Sequence, residues 1–208
     1  MNESMRDLWL LTVAWAAGLI WSGIAPYDRG TWVAEVAPAV IALPILRMTV
    51  ERFPFSRLAY VLICIHGLIL MGGAAYTYAR VPLGFWVQDL FELSRNPYDK
   101  LGHFAQGFVP AIVAREILVR AFGLKRDWLL VFLVVSICGS ISGAYEIIEW
   151  WAALVAGEGA VEFLGTQGDP WDTQADILYA FIGAGVALAT LSRLHDRSME
   201  RVIANRAI

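Results

Sequence analysis

Polar positions in this chain gather where long apolar runs end, and that spacing predicts membrane-spanning helices. A span needs about 20 mostly apolar residues, with a range of about 17 to 25. The runs at 8–24, 32–50, 57–78, 101–122, 128–151 and 173–194 meet that length. The predicted fold is therefore all-α, a polytopic transmembrane bundle of six helices in one domain over 1–208. An interfacial half-helix is expected in the long loop after the third helix, where Phe85 and Trp86 follow Pro82 and Gly84 and belong in the headgroup zone. The first run lacks a small-residue cleavage site leading into a soluble region, so it reads as a retained helix.

Composition agrees with the pattern. Hydrophobic residues make up 58% of the 208 residues and mean hydropathy is +0.57, whereas soluble domains are about 45–50% apolar. A net charge of -3 without a basic stripe excludes nucleic acid as a partner. No soluble partner is evident, and membrane lipids are the expected surroundings. Cys64 and Cys138 fall in the middle of apolar runs and read as packing residues.

Lys and Arg alternate between loops, which orients the helices. Twelve lie at the N-terminus, after the second helix, between the fourth and fifth helices and at the C-terminus; only Arg29, Arg80, Arg95 and Lys100 lie in the other loops. Both termini are thus expected in the cytoplasm. The costly side chains then point to one outer pocket.

Three polar stretches form that pocket. The first, residues 95–106, carries Arg95, Asp99, Lys100, His103 and Gln106. Lys100, His103 and Gln106 recur every three residues along one helix face. His103 suits a metal ligand or a general base, or else an interhelical bond to Glu146 or Asp176 that only holds the bundle. The second contains Glu146 and Glu149 on one face, where like charges call for a cation or a shared proton unless Glu149 reaches headgroup water. The third holds Asp169, Asp172 and Asp176, with Asp172 able to cap the sixth helix.

These residues yield a defined set of site expectations. His103, Glu146, Asp172 and Asp176 offer oxygens and one nitrogen to a hard or borderline divalent metal ion. His103, Glu146, Glu149 and Lys100 are the candidate catalytic groups. Arg95, Asp99, Gln106, Trp86, Asp28 and Glu35 are the candidate substrate-binding groups. With three histidines in the chain, a three-histidine zinc site is nearly excluded. His195 is expected to be solvated in the basic tail, and His66 to hydrogen-bond another helix. Glu116 is expected to pair with Arg115, Arg120 or a headgroup. Gly67, Gly72, Gly73, Gly102, Gly107, Gly183 and Gly185 read as close-packing positions.

The motifs at 23–29, 81–86, 95–107 and 168–172 resemble the YjdF family of bacterial inner-membrane proteins, and the likeness covers nearly the whole chain. It implies an inner-membrane helical fold and brings no activity, because the domain that family carries has no known function. Asp99, Lys100, His103, Phe104, Glu146 and Asp176 are also similar to a pattern of VanZ-like membrane proteins, linked to glycopeptide resistance. Glu149 stands where those proteins usually have Gln, and Ala180 where they usually have Asn.

Three functions compete at this level. One is a metal-dependent hydrolase or transferase acting on a lipid or cell-envelope substrate. Another is a non-catalytic scaffold or sensor whose polar cluster is a conformational lock. The third is a proton-coupled transporter or lipid flippase using Glu35, His66 and Glu146, although no internal repeat of the transporter type is evident.

Overall fold

The computed structural model describes residues 3–156 and 166–204. Among them are seven α-helices and one 3₁₀ turn: α1 Glu3–Ile24, α2 Arg29–Thr49, α3 Arg57–Tyr76, the turn Tyr78–Arg80, α4 Pro82–Leu90, α5 Tyr98–Arg120, α6 Trp128–Ala156 and α7 Asp172–Ala204. The described residues form no strand. α1, α2, α3, α6 and α7 are long and apolar enough to cross a membrane. α5 has the length, at 23 residues. It carries five charged side chains, Asp99, Lys100, Arg115, Glu116 and Arg120, and is not one of those five helices.

Local chemistry sets the helix starts. The Asp28 side chain accepts the Thr31 N–H at 2.7 Å and caps α2. Ser56 caps α3 through Ala59 N–H, and Pro82 opens α4 where its missing N–H has no consequence. Asp172 does not cap α7 as expected. It is already the first helical residue, and its carboxylate turns back toward α5, while Asp169 accepts the Trp171 N–H.

α5 and α7 form the most extensive pair in the bundle, with α3 and α6 packed on α5 and α1 and α2 packed on α3. The tight pairing depends on small residues. A Cβ on Gly107 would overlap the Ala180 carbonyl of α7, and a Cβ on Gly183 would overlap the Phe104 carbonyl of α5. Gly67, Gly72, Gly73 and Gly102 likewise face Trp15, Tyr98 or Tyr78. Gly185 differs from the expectation: nothing lies near its missing Cβ.

Apolar side chains such as Leu8, Trp15, Ala59, Met71, Ile112, Val134 and Ala184 fill the interior. Others cover the outside: Ile20, Ile41, Met48, Phe132 and Trp151 are all exposed. An apolar interior wrapped in an apolar exterior is what lipid solvent permits and water does not.

Several boundaries depart from the hydropathy pattern: α1 starts at Glu3 and not at 8, and α6 runs to Ala156 and not to 151. α7 was expected to end at 194 and runs to Ala204, because its last turns remain amphipathic and bury His195 and Met199. The third helix was expected to include Tyr78. The chain instead breaks at Thr77, a buried residue at φ 50, and Tyr78 begins the 3₁₀ turn.

Candidate functional site

The start of α5 meets the start of α7 and the last turns of α6, and there the polar residues converge. Lys100 lies at their centre: its Nζ donates to Asp172 Oδ1 and Asp176 Oδ1, each at 2.7 Å. Arg95 closes the outer side, donating to Asp172 Oδ1 at 2.6 Å and to the Thr166 carbonyl at 2.7 Å, with Asp169 at 3.3 Å. These neighbouring carboxylates and its bond to Asp172 hold the guanidinium pKa above its ordinary value against the opposing effect of burial. A second clamp secures the loop. Gln167 accepts the Asn96 N–H and donates to the Asn96 carbonyl, while buried Asn96 donates to Val81 O.

His103 sits one turn deeper, buried and flanked by acids. Its Nε2 is 3.5 Å from Asp99 Oδ1 and 3.8 Å from Asp176 Oδ1. Its Nδ1 is 3.2 Å from Gln106 Oε1 and 3.8 Å from Glu146 Oε1. Asp99, His103 and Asp176 each offer one ligand atom, and the three atoms lie within 4.8 Å of one another. Ligands bound at about 2.1 Å to a tetrahedral ion sit about 3.4 Å apart, close to the two histidine distances. Two buried oxygens face this group without a hydrogen-bond partner among the described residues, Asp99 Oδ2 and Glu146 Oε1.

A cavity of about 150 Å³ continues inward from His103, lined by Glu35, His66, Tyr145 and Glu149 among others. Tyr145 hydroxyl donates across it to Glu35 Oε2 at 3.3 Å. His66 opens onto the cavity and makes none of the expected hydrogen bonds to another helix among the described residues.

The expected site residues therefore separate into three groups. Arg95, Asp99, Lys100, His103, Gln106, Glu146, Asp172 and Asp176 meet at one end of the bundle, and Glu35 and Glu149 line the cavity beneath them. Trp86 is exposed on α4, and Asp28 is engaged in capping α2; neither lines that cavity. Asp99, expected to bind substrate, takes the place in the compact ligand group that spacing gave to Asp172. Asp172 Oδ1 is instead held between Arg95 and Lys100. The i,i+4 spacing of Asp99 and His103 could have signalled this pairing. Tyr145 carries no sequence signal for this contact, since no spacing relates it to Glu35.

The opposite end holds a second buried network that inverts the expectation for His195. That residue is fully buried, not solvated. Glu116 accepts from Ser56 N–H at 2.7 Å, Ser56 hydroxyl at 2.6 Å, His195 Nε2 at 2.9 Å and Arg120. Arg115, expected as a partner of Glu116, instead reaches His195 Nδ1 at 3.1 Å and Asp196 at 2.8 Å. An arginine can only donate, so Nδ1 accepts and Nε2–H donates to Glu116.

Comparisons with known proteins agree with this architecture. Residues 8–197 match the family described as "Predicted membrane protein (DUF2238)". "Inner membrane protein YjdF" of Escherichia coli (strain K12) is 50% identical over 203 residues, covering 97% of each chain. No solved structure matches. With almost its full length matched and five helices able to span a bilayer, the chain is an integral membrane protein and belongs to the DUF2238 family.

Proposed function

We propose that this protein is a bacterial inner-membrane, metal-dependent hydrolase or transferase acting on a lipid or cell-envelope substrate at its periplasmic end. In this reading the chain is one domain with six spans, α5 being the sixth, and both termini lie in the cytoplasm. α4 lies in the outer interface, with Phe85 and Trp86 at headgroup level. The observation that carries the proposal is the excess of buried carboxylates. Glu35, Asp99, Glu146, Asp172 and Asp176 are buried and Glu149 is half-buried, against two permanent cations, Arg95 and Lys100, and two of the carboxylate oxygens lack a hydrogen-bond partner among the described residues. Buried negative charge requires a cation or protons.

Asp99, His103 and Asp176 would hold the divalent ion, and Glu146 approaches from the other side of the imidazole. The ion would make bound water a nucleophile near neutral pH. Glu146 or Glu149 would take the proton, Gln106 would fix the imidazole, and Arg95 and Lys100 would supply positive charge for an anionic headgroup. The test is hydrolysis of lipid-linked phosphate and carboxylic esters by the purified protein, with and without chelator. Turnover abolished by chelation and in His103→Ala, with expression retained, is the expected result. Normal turnover in His103→Ala overturns the proposal.

A second reading is favoured by one contact. Lys100 already occupies Asp176 Oδ1 at 2.7 Å, so the cluster could act as an ion-pair lock fixing α5 to α7 in a non-catalytic scaffold or sensor. Under that reading Glu146→Gln with Asp176→Asn lowers stability and changes nothing else.

A further inference from the structure

A hollow of about 500 Å³ lies at the end of the bundle opposite the cluster. Its walls come from the start of α1, the α2–α3 turn, the start of α3 and the last turns of α7. Three arginines line it: Arg57 from α3, and Arg197 and Arg201 one turn apart on α7. A hydrogen bond of 3.2 Å from Leu58 N–H to Ser198 Oγ draws these two helix ends together.

None of the three guanidinium groups forms an ion pair or hydrogen bond with a described residue. This contrasts with Arg115, Arg120 and Arg126 nearby, each of which is paired. Glu3, Asp7 and Glu51 also line the hollow, yet none of them pairs with these arginines, and Asp7 lies 3.7 Å from Arg6 instead. Below the arginines the wall becomes apolar, through Leu58, Val61 and Leu194. Unpaired guanidiniums above an apolar wall at the end of membrane-spanning helices match an amphiphile with a phosphate head and hydrocarbon tail. The volume falls in the usual range of ligand pockets, about 300–1,000 Å³.

We propose that this hollow is a binding site for a bilayer phospholipid, with Arg57, Arg197 and Arg201 taking the phosphate and Leu58, Val61 and Leu194 contacting the first methylenes. The site is separate from the carboxylate cluster and requires no metal. A bound lipid would add to the Leu58–Ser198 hydrogen bond in tying the start of α3 to the end of α7.

The experiment uses the full chain, delipidated in detergent, with dioleoyl phosphatidylglycerol added as the probe. Wild type should gain about 5 °C in Tm at saturating lipid, as expected for a ligand bound to the folded state alone. Arg197→Gln/Arg201→Gln should lose at least two-thirds of that gain. Arg52→Gln, outside the hollow, should keep all of it, and inorganic phosphate at equal concentration should give none. Phospholipid retained through purification, counted per chain by mass spectrometry, provides a second readout should the double variant be too unstable to melt. It should fall in Arg201→Gln. An unchanged Tm gain or unchanged retained lipid in the arginine variants overturns the proposal. So does a full gain from inorganic phosphate, which would mark a simple anion site.

Discussion

Glu116 shows what a charge demands inside a packed helix bundle. It is fully buried in α5, and Ser56, His195 and Arg120 all donate to it. Removing one partner of such a group costs about 3–5 kcal/mol, because the remaining charge is left uncompensated. His195→Ala should lower the stability of the detergent-solubilised protein by that amount, as measured by chemical denaturation. A loss below about 1 kcal/mol, the size expected of a surface pair, would show that Ser56 and Arg120 suffice. Asp28 tests the opposite extreme, an exposed carboxylate. Its pKa is held below 3.8 by the Thr31 N–H. The cap therefore stabilises α2 fully above the unfolded value and is lost as pH falls through the lowered folded pKa. Asp28→Ala should cost about 1 kcal/mol at pH 7. The difference from wild type should be flat down to about pH 5 and should shrink below about pH 4. A difference that grows on acidification would contradict the cap.

Helices differ in how much of their role the sequence discloses. α1, α2, α3 and α6 were legible because apolar runs between polar turns have one low-energy arrangement in lipid. The end of α7 was not legible. Hydropathy falls at Leu194, but the helix continues to Ala204 because His195 and Met199 share a buried face while Arg193, Arg197 and Arg201 stay exposed. For the same reason the burial of His195 is not legible in the sequence: a window average sees the basic tail and not the buried stripe within it. Convergence of Arg95, Lys100, Asp172 and Asp176 could be read from topology, since the loops place all four at one end. Which oxygen meets which nitrogen could not, because helix rotation decides it, and rotation is set by Gly107 and Gly183 packing against opposing carbonyls. Substitutions at these glycines should separate accordingly. Gly183→Leu should abolish folding or cost more than about 3 kcal/mol through overpacking, whereas Gly185→Ala, facing open space, should be neutral or stabilise by about 1 kcal/mol or less. Equal effects at the two positions, read from the yield of monodisperse protein, would refute the close α5–α7 contact.

Across the whole molecule, polarity divides between two ends. One end joins Arg95, Lys100 and His103 to the carboxylates, and the other pairs Arg115, Arg120 and Arg126 with Glu116 and Asp196. In the sequence, twelve of the sixteen Lys and Arg residues fall in the loops and termini expected on that side, which is the basis for expecting it in the cytoplasm. Reporter fusions should give a cytoplasmic signal at both Met1 and Ile208, and opposite signals at the two termini would remove α5 as a span. The cluster at the first end is proposed to hold a divalent ion. Elemental analysis of the purified protein beside an Asp99→Asn/Asp176→Asn variant tests it most directly. Close to one divalent ion per chain is expected in wild type and none in the folded variant. A metal-free wild type that still melts cooperatively would contradict it and leave Lys100 as the partner of Asp176.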